Sequence, residues 1–255
     1  MTVGDRGIGI AQPSMTVGDR GIGTMAIPLS WGAEGELIEV LSTDLTTGAS
    51  LATVGVTAFD DGAKLLNLML SNCYKALVYR LNTGGVKATG TGGALTVTAK
   101  YAGTLGNAIT VTITETDGVF TVVTWVSGAS RDSQPVTTIS ELADNDFVAF
   151  SGSGDLTINA GITLAGGTDG SYTASTAYPV YLELASRANW QTMALTQDND
   201  AYASQFVTFA DTLRNSEGKY SQVVVANYDA DNYGVIKVNQ GLVVDGVTLT
   251  AEDKG

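Results

Sequence analysis

Between Val86 and Gly167 the chain changes texture, and this change limits its possible folds more than any other feature. Thr, Val and Gly dominate the stretch and charges thin out. Short runs alternate apolar with polar residues: Leu95 to Lys100, Ala108 to Glu115, Val119 to Val126, Phe147 to Phe150 and Leu156 to Leu164. A period of two sends successive side chains to opposite faces of a strand, so these runs predict half-buried antiparallel sheet. Asp117-Gly118, between the second and third runs, is a hairpin-turn dipeptide. Thr138 to Ala143 reads as a short helical turn capped by Thr137 or Thr138, with Glu141 nearby. A small all-β sandwich follows.

On either side the pattern is different. Asp60 and Asp61 can cap a helix running to about Asn72, with Leu65, Leu66, Met69 and Leu70 as its apolar face. Lys75 to Asn82 then reads as a strand with Leu77, Tyr79 and Leu81 on one face, ended by Thr83-Gly84-Gly85. After Gly167, Thr176 to Asn189 reads as a helix with Pro179 in its first turn. Trp190 to Leu195 reads as a strand. Asn199 to Asn215 is an amphipathic helix with Tyr202, Phe206, Phe209 and Leu213 on one stripe, closed by Gly218. Tyr220 to Ala226 and Gly234 to Val238 read as strands, and Leu242 to Leu249 as a hairpin turning at Asp245-Gly246. Alternating strand and helix is the pattern of an α/β layer. The fold class is therefore α+β: an α/β core domain interrupted by an inserted β-sandwich. The expected division is 1–15 as a duplicated N-terminal segment, 16–85 plus 168–255 as the discontinuous core, and 86–167 as the insert. The segment MTVGDRGIG at Met1 to Gly9 recurs at Met15 to Gly23, and only the second copy runs on into the rest. A single recurrence is no solenoid.

Composition removes several functions. No histidine is present, which eliminates Ser-His-Asp and Cys-His catalysis and the commonest metal ligand. The formal net charge of −13, from 26 acidic and 13 basic residues, disfavours nucleic acid or an anionic membrane as partner. One cysteine, Cys73, cannot form an internal disulfide and reads as a small core hydrophobe. No apolar run reaches the length of a membrane span, and the N-terminus carries no signal-peptide pattern.

The remaining motifs favour plain readings. Asp229 to Gly234 resembles the opening of a calcium loop but has Tyr233 at the fifth position and Gln240 at the twelfth, so it reads as a solvated turn. Asp198-Asn199-Asp200 reads as a helix cap. Gly90-Thr91-Gly92-Gly93 and Ser151-Gly152-Ser153-Gly154 lack the Lys and helix start of a phosphate loop and read as loop turns. Trp31, Trp125 and Trp190 read as packing residues. No catalytic, cofactor-binding or metal residue is assigned, and no cofactor is expected.

Three separated motifs resemble the tail sheath proteins of contractile phage tails and related contractile injection particles. The first is the corner Ala99-Lys100-Tyr101-Ala102-Gly103-Thr104-Leu105-Gly106-Asn107 between Thr-rich strands. Another is Arg20-Gly21-Ile22, Pro28-Leu29, then Trp31-Gly32 with Glu34 and Gly35; here Ala33 stands where the family usually has proline. The third is the exit Leu164-Ala165-Gly166-Gly167-Thr168-Asp169-Gly170. The resemblance covers about Val17 to Thr250.

The resemblance implies a subtilisin-like layer arrangement for the core and a structural role without an active site. Sheath subunits stack in hexameric rings around an inner tail tube above a baseplate, in the virion tail, after assembly in the bacterial host cytoplasm. Contraction drives the tube through the target envelope. The family continues past the region matched by Gly241 to Ala251, so the chain looks truncated and is expected to behave as a monomer. The alternative is an adhesin-like or carbohydrate-binding virion module, which needs an exposed aromatic platform on the insert. The corner motif itself is expected to lie outside the α/β core, with Asn107 and its glycines supplying unusual turn angles.

Overall fold

In a computed structural model, which describes residues 21–238, 242–244 and 247–249, the chain forms two packed units joined at one neck. The first unit is a six-stranded sheet ordered β13-β12-β11-β1-β3-β2. Its strands are β1 (Ile22–Ile27), β2 (Leu37–Leu41), β3 (Lys75–Arg80), β11 (Thr192–Ala194), β12 (Gln222–Ala226) and β13 (Val235–Val238). All neighbours pair parallel except the antiparallel edge strand β2.

Alternation along the central strands sends residues to two cores. Met25 and Ile27 of β1 and Ala76 and Val78 of β3 pack with Leu66 and Leu70 of α3 (Lys64–Asn72). Short helices α1 (Ser42–Thr47) and α2 (Ser50–Val54) complete that layer through Leu45 and Val54. On the opposite face, Ala26, Leu77, Tyr79, Met193, Val223 and Val225 pack against α4 (Ala174–Arg187) and α5 (Asp200–Glu217). Burial on both faces explains the unbroken Val223-Val224-Val225 run of β12.

The second unit is the predicted sandwich. One sheet is ordered β10-β6-β7-β8 and the other β4-β5-β9. The first contains β6 (Ile109–Thr116), β7 (Val119–Val126), β8 (Ala129–Val136) and β10 (Asn159–Thr163). The second contains β4 (Thr89–Gly92), β5 (Leu95–Ala99) and β9 (Val148–Gly152). Inward residues Val97, Ile109, Val111, Ile113, Val122, Val126 and Val148 fill the space between them. Asp117 and Gly118, both at positive φ, make the tight turn their identities predict.

Several expectations are corrected. Gly90 to Gly92 lie in β4, where loop turns were expected. A β-carbon on Gly92 would stand 2.5 Å from the Ile162 side chain, so these glycines allow the two sheets to approach closely. β8 escaped the alternation because it is a polar edge strand carrying Pro135. β2, α1 and α2 carry no assignment from the sequence, being only five or six residues long, too short for a period to show. The helix before β3 begins as a 3₁₀ turn, Asp61–Ala63; Leu65 is exposed on it, while Met69 is half-buried against the core. Asp60 caps the turn before it instead, accepting from the Thr57 backbone at 2.6 Å. Helix α4 starts at Ala174, so Pro179 falls in its second turn. There it removes one backbone hydrogen bond while its ring stays at a helical φ. The hairpin β14 (Leu242–Val244) with β15 (Val247–Leu249) is present, while its Asp245-Gly246 turn lies outside the described residues. The repeated N-terminal segment, up to Arg20, also lies outside them.

The face under α4 and α5 is lined with tyrosines. The Tyr181 hydroxyl meets Thr24 Oγ1 at 3.0 Å in full burial, and its ring stacks on Tyr79 at 5.7 Å. Burial pushes the Tyr178 hydroxyl from 10.0 up to about 12, and Tyr181 is raised further still. The folded state therefore holds these protons after the unfolded chain has released its own. Stability is full below about pH 10 and is lost as pH rises through about 12. Melting temperatures measured by circular dichroism between about pH 9 and about pH 12 should fall steeply, and the slope should flatten in a Tyr178→Phe/Tyr181→Phe variant.

Candidate functional site

In open parallel sheets, ligands bind in the crevice beyond the carboxyl ends of the strands, where the chain changes direction across the sheet. Here that region lies beyond Ile27, Arg80 and Ala194, with β1 between β11 and β3. It is filled by the neck of the inserted sandwich. A shallow cleft of about 390 Å3 remains, lined by Pro28, Leu29, Asn82, Asp169 and Tyr172 among others. Its polar groups are largely spent on the fold. Asn82 Nδ2 donates to the carbonyls of Leu29 and Asp169, and its Oδ1 accepts from Leu29 N–H. The Asp169 carboxylate accepts from Thr104 N–H at 2.6 Å and from the Thr104 hydroxyl at 3.1 Å.

The neck is two antiparallel passages of chain. Thr83 bridges Ser171, Val86 bridges Thr168 and Thr89 bridges Ala165. Gly170, at φ +74°, lies so close to Thr83 that a β-carbon would stand 2.1 Å from its carbonyl oxygen. Between the passages and the sheet lies Arg80, fully buried. Its Nη1 donates to the carbonyls of Gly32 and Ala102, both at 2.8 Å, and its Nη2 donates to that of Asp169 at 3.1 Å. Glu34 is the nearest carboxylate, 3.9 Å from Nη2. Desolvation lowers the Arg80 pKa, while Glu34 and Asp169 oppose that shift. A guanidinium carries five donors in a rigid fork, so one side chain can hold three strands of backbone.

Beside it, Trp31 leaves the first unit and enters the core of the sandwich. It is fully buried, edge-on to Tyr101 at 5.4 Å and tilted over Phe147 at 6.3 Å. Its Nε1 donates to the Ala52 carbonyl. Leu105 N–H donates to the Ser30 carbonyl, and Asn107 exchanges two hydrogen bonds with the backbone of Gly167. Gly103, at φ +143°, has its α-carbon against Ser30, where a β-carbon would stand 1.9 Å from the carbonyl oxygen.

The three sequence motifs thus converge on one joint. Residues 28–35, the corner 99–107 and the exit 164–170 meet around Arg80. The corner lies in the inserted module, outside the α/β core, but at the seam between the two units, where it touches Arg80 and Ser30. Asn107 is not at positive φ; it sits in a 3₁₀ turn, Thr104–Ala108, and works through its side-chain amide. Arg80 was not singled out from the sequence. Its signal is a charge on the strand face that otherwise carries Ala76 and Val78.

Other assigned residues take plain roles. Trp190 is buried, and half-buried Trp125 donates to Thr112 Oγ1. The sandwich rings Tyr101, Phe120, Trp125, Phe147 and Phe150 are all buried or half-buried, so none of them offers the exposed sugar platform that an adhesin-like insert needs. Cys73 is half-buried and burial raises its thiol pKa. Asn199 caps α5 through Ala201 and Tyr202, and in the 229–234 turn Asp229 pairs with Lys237.

Replacing Arg80 with Met should cost about 3–5 kcal/mol in urea unfolding, because three buried carbonyls lose their donor. Arg80→Lys should restore only part of it, since one ammonium cannot reproduce the fork. Gly103→Ala should lower the unfolding midpoint in the same assay; a wild-type midpoint in either variant would contradict this account of the joint.

Residues 83–169 match the family model described as the phage tail sheath protein beta-sandwich domain. The crystal structure of a sheath tail protein from Desulfitobacterium hafniense superposes with a TM-score of 0.78 at 41% identity, covering 95% of this chain and 58% of that one. A sheath tail protein from Listeria innocua does so at 0.78 and 33%, covering 91% and 53%. The phage-like element PBSX protein XkdK of Bacillus subtilis is 31% identical over 256 residues, 91% of this chain and 54% of XkdK. The chain spans rather more than half the length of these relatives. With its sandwich, its α/β sheet and the joint between them, the chain belongs to the phage tail sheath protein family.

Proposed function

We propose that this protein is a structural subunit of a contractile tail sheath. It surrounds the inner tail tube, stacks with neighbouring subunits in hexameric rings above a baseplate, and contracts to drive the tube through the target cell envelope. Its place is the virion or phage-like particle, after assembly in the host cytoplasm. The observation that carries the reading is the 41% identity to a sheath tail protein over 95% of this chain, sandwich and α/β core together.

The joint supports a mechanical role. A domain fixed by a buried guanidinium and an inserted tryptophan moves with its core, as a subunit shifting between two lattices as a near-rigid body requires. The reading includes the division into core, 16–85 plus 168–255, and insert, 86–167, with 1–15 as the duplicated segment. It assigns no catalytic residue. The absence of histidine and the filling of the sheet's crevice by the neck both favour a structural part over an enzyme.

Immunogold labelling tests this directly. Antibody raised against the purified chain, applied to particles induced from the source bacterium, should decorate the tail along its length. Label confined to the tail tip or to fibres would favour the adhesin-like alternative, and label on the capsid would remove the sheath reading.

A further inference from the structure

Two surfaces on opposite sides of the α/β sheet, one an exposed apolar strip and the other a groove, carry opposite charges at one end. On one side, Phe59 stands 93% exposed at the head of α3, and Leu68 and Leu65 follow on the outward face of that helix, 66% and 45% exposed. We call the three the Phe59 ridge; its leading end carries Asp60 and Asp61, the latter 99% exposed and in a solvent-facing pair with Lys64 at 3.5 Å. On the other side, α4 and α5 leave a groove of about 340 Å3, floored by Leu182 and Phe209 and rimmed by Pro179, Gln205 and Thr208. α4 ends in Arg187 and the last turn of α5 carries Arg214, with Lys219 just beyond. These are three of the ten Lys and Arg among the described residues. Arg187 and Lys219 face Glu183 and Glu217 of their own chain, both of them exposed pairs that exchange readily.

That the surfaces lie on opposite sides follows from the strands. Leu66 and Leu70 of α3 pack with Met25, Ala76 and Val78, whereas α4 and α5 pack with Ala26, Leu77 and Tyr79. A ridge and a groove on opposite sides cannot both be satisfied in a two-fold dimer. They satisfy each other head to tail, which generates a ring or a helical array.

We propose that the Phe59 ridge of one copy seats in the α4–α5 groove of a second copy, with Asp60 and Asp61 directed to the Arg187 and Lys219 end. The proposal rests on the sheath reading and names one contact within it. Phe59 supplies the apolar anchor, as a single buried aromatic does in many interfaces, and the charges set its direction along the groove.

Disulfide trapping reads such a contact even where a single lattice interface is weak in solution. In a Cys73→Ser background, the purified chain carrying both Phe59→Cys and Thr208→Cys should give a ladder of dimers and higher species on oxidation. Mixing the two single variants should give dimers only. Phe59 and Thr208 are both exposed, so neither cysteine disturbs the core. Linking of the Phe59→Cys chain to itself as efficiently as to Thr208→Cys would show a two-fold contact and overturn the proposal. Linking no greater than with Ser133→Cys, an exposed position on the sandwich, would overturn it too. Gold label along the tail with no Phe59–Thr208 link would remove this contact and leave the sheath reading standing. The link in a protein that labels no tail would do the reverse.

Discussion

The buried guanidinium of Arg80 is the constraint around which the two units are arranged. Taking a charge out of water costs several kcal/mol. Among the described residues no carboxylate comes closer than 3.9 Å to repay that cost. The compensation comes from carbonyls of Gly32, Ala102 and Asp169, which belong to three segments far apart in sequence. Only one relative placement of sandwich and sheet brings all three within reach. The charge therefore specifies an orientation more than it adds stability.

That orientation governs what the chain can do. An insertion between β3 and α4 leaves and re-enters the sheet at its carboxyl edge, the place where folds of this class bind ligands. The neck, Trp31 and the Thr104–Asp169 contacts take up that edge. The surfaces left free of the joint are the outer sides of the helices and the strand edges. There α3 offers apolar side chains to solvent on one side and the α4–α5 pair offers a groove on the other. A part that acts by packing against other parts needs surfaces of that kind.

Much of the fold was legible in the sequence. The sandwich announced itself because Thr-Val alternation and Asp117-Gly118 are local signals with local causes. The helix α5 was legible from its stripe and from Asn199 and Gly218 at its ends, both of which cap it as their chemistry suggests. The elements that escaped were those whose identity depends on distant neighbours. β4 is a strand of Thr and Gly because Ile162 of the opposing sheet leaves no room for side chains. β8 is polar because it lies at an edge, and Pro179 sits deeper in its helix than the turn signals around it indicated.

The sequence by itself determined that this is an α/β layer split by a β-sandwich, and that it belongs with sheath proteins through three motifs spread along the chain. What those motifs are for was decided only by tertiary structure. Gly103, Asn107 and Asp169 read as turn residues one at a time, because a sequence shows each with its nearest neighbours alone. Folding packs Gly103 against the Ser30 backbone and brings Asn107 and Asp169 into hydrogen bonds with the backbones of Gly167 and Thr104. A buried polar group must find its partner wherever the chain supplies one. Arg80 finds its partners 48, 22 and 89 residues away, a distance over which no local pattern carries information.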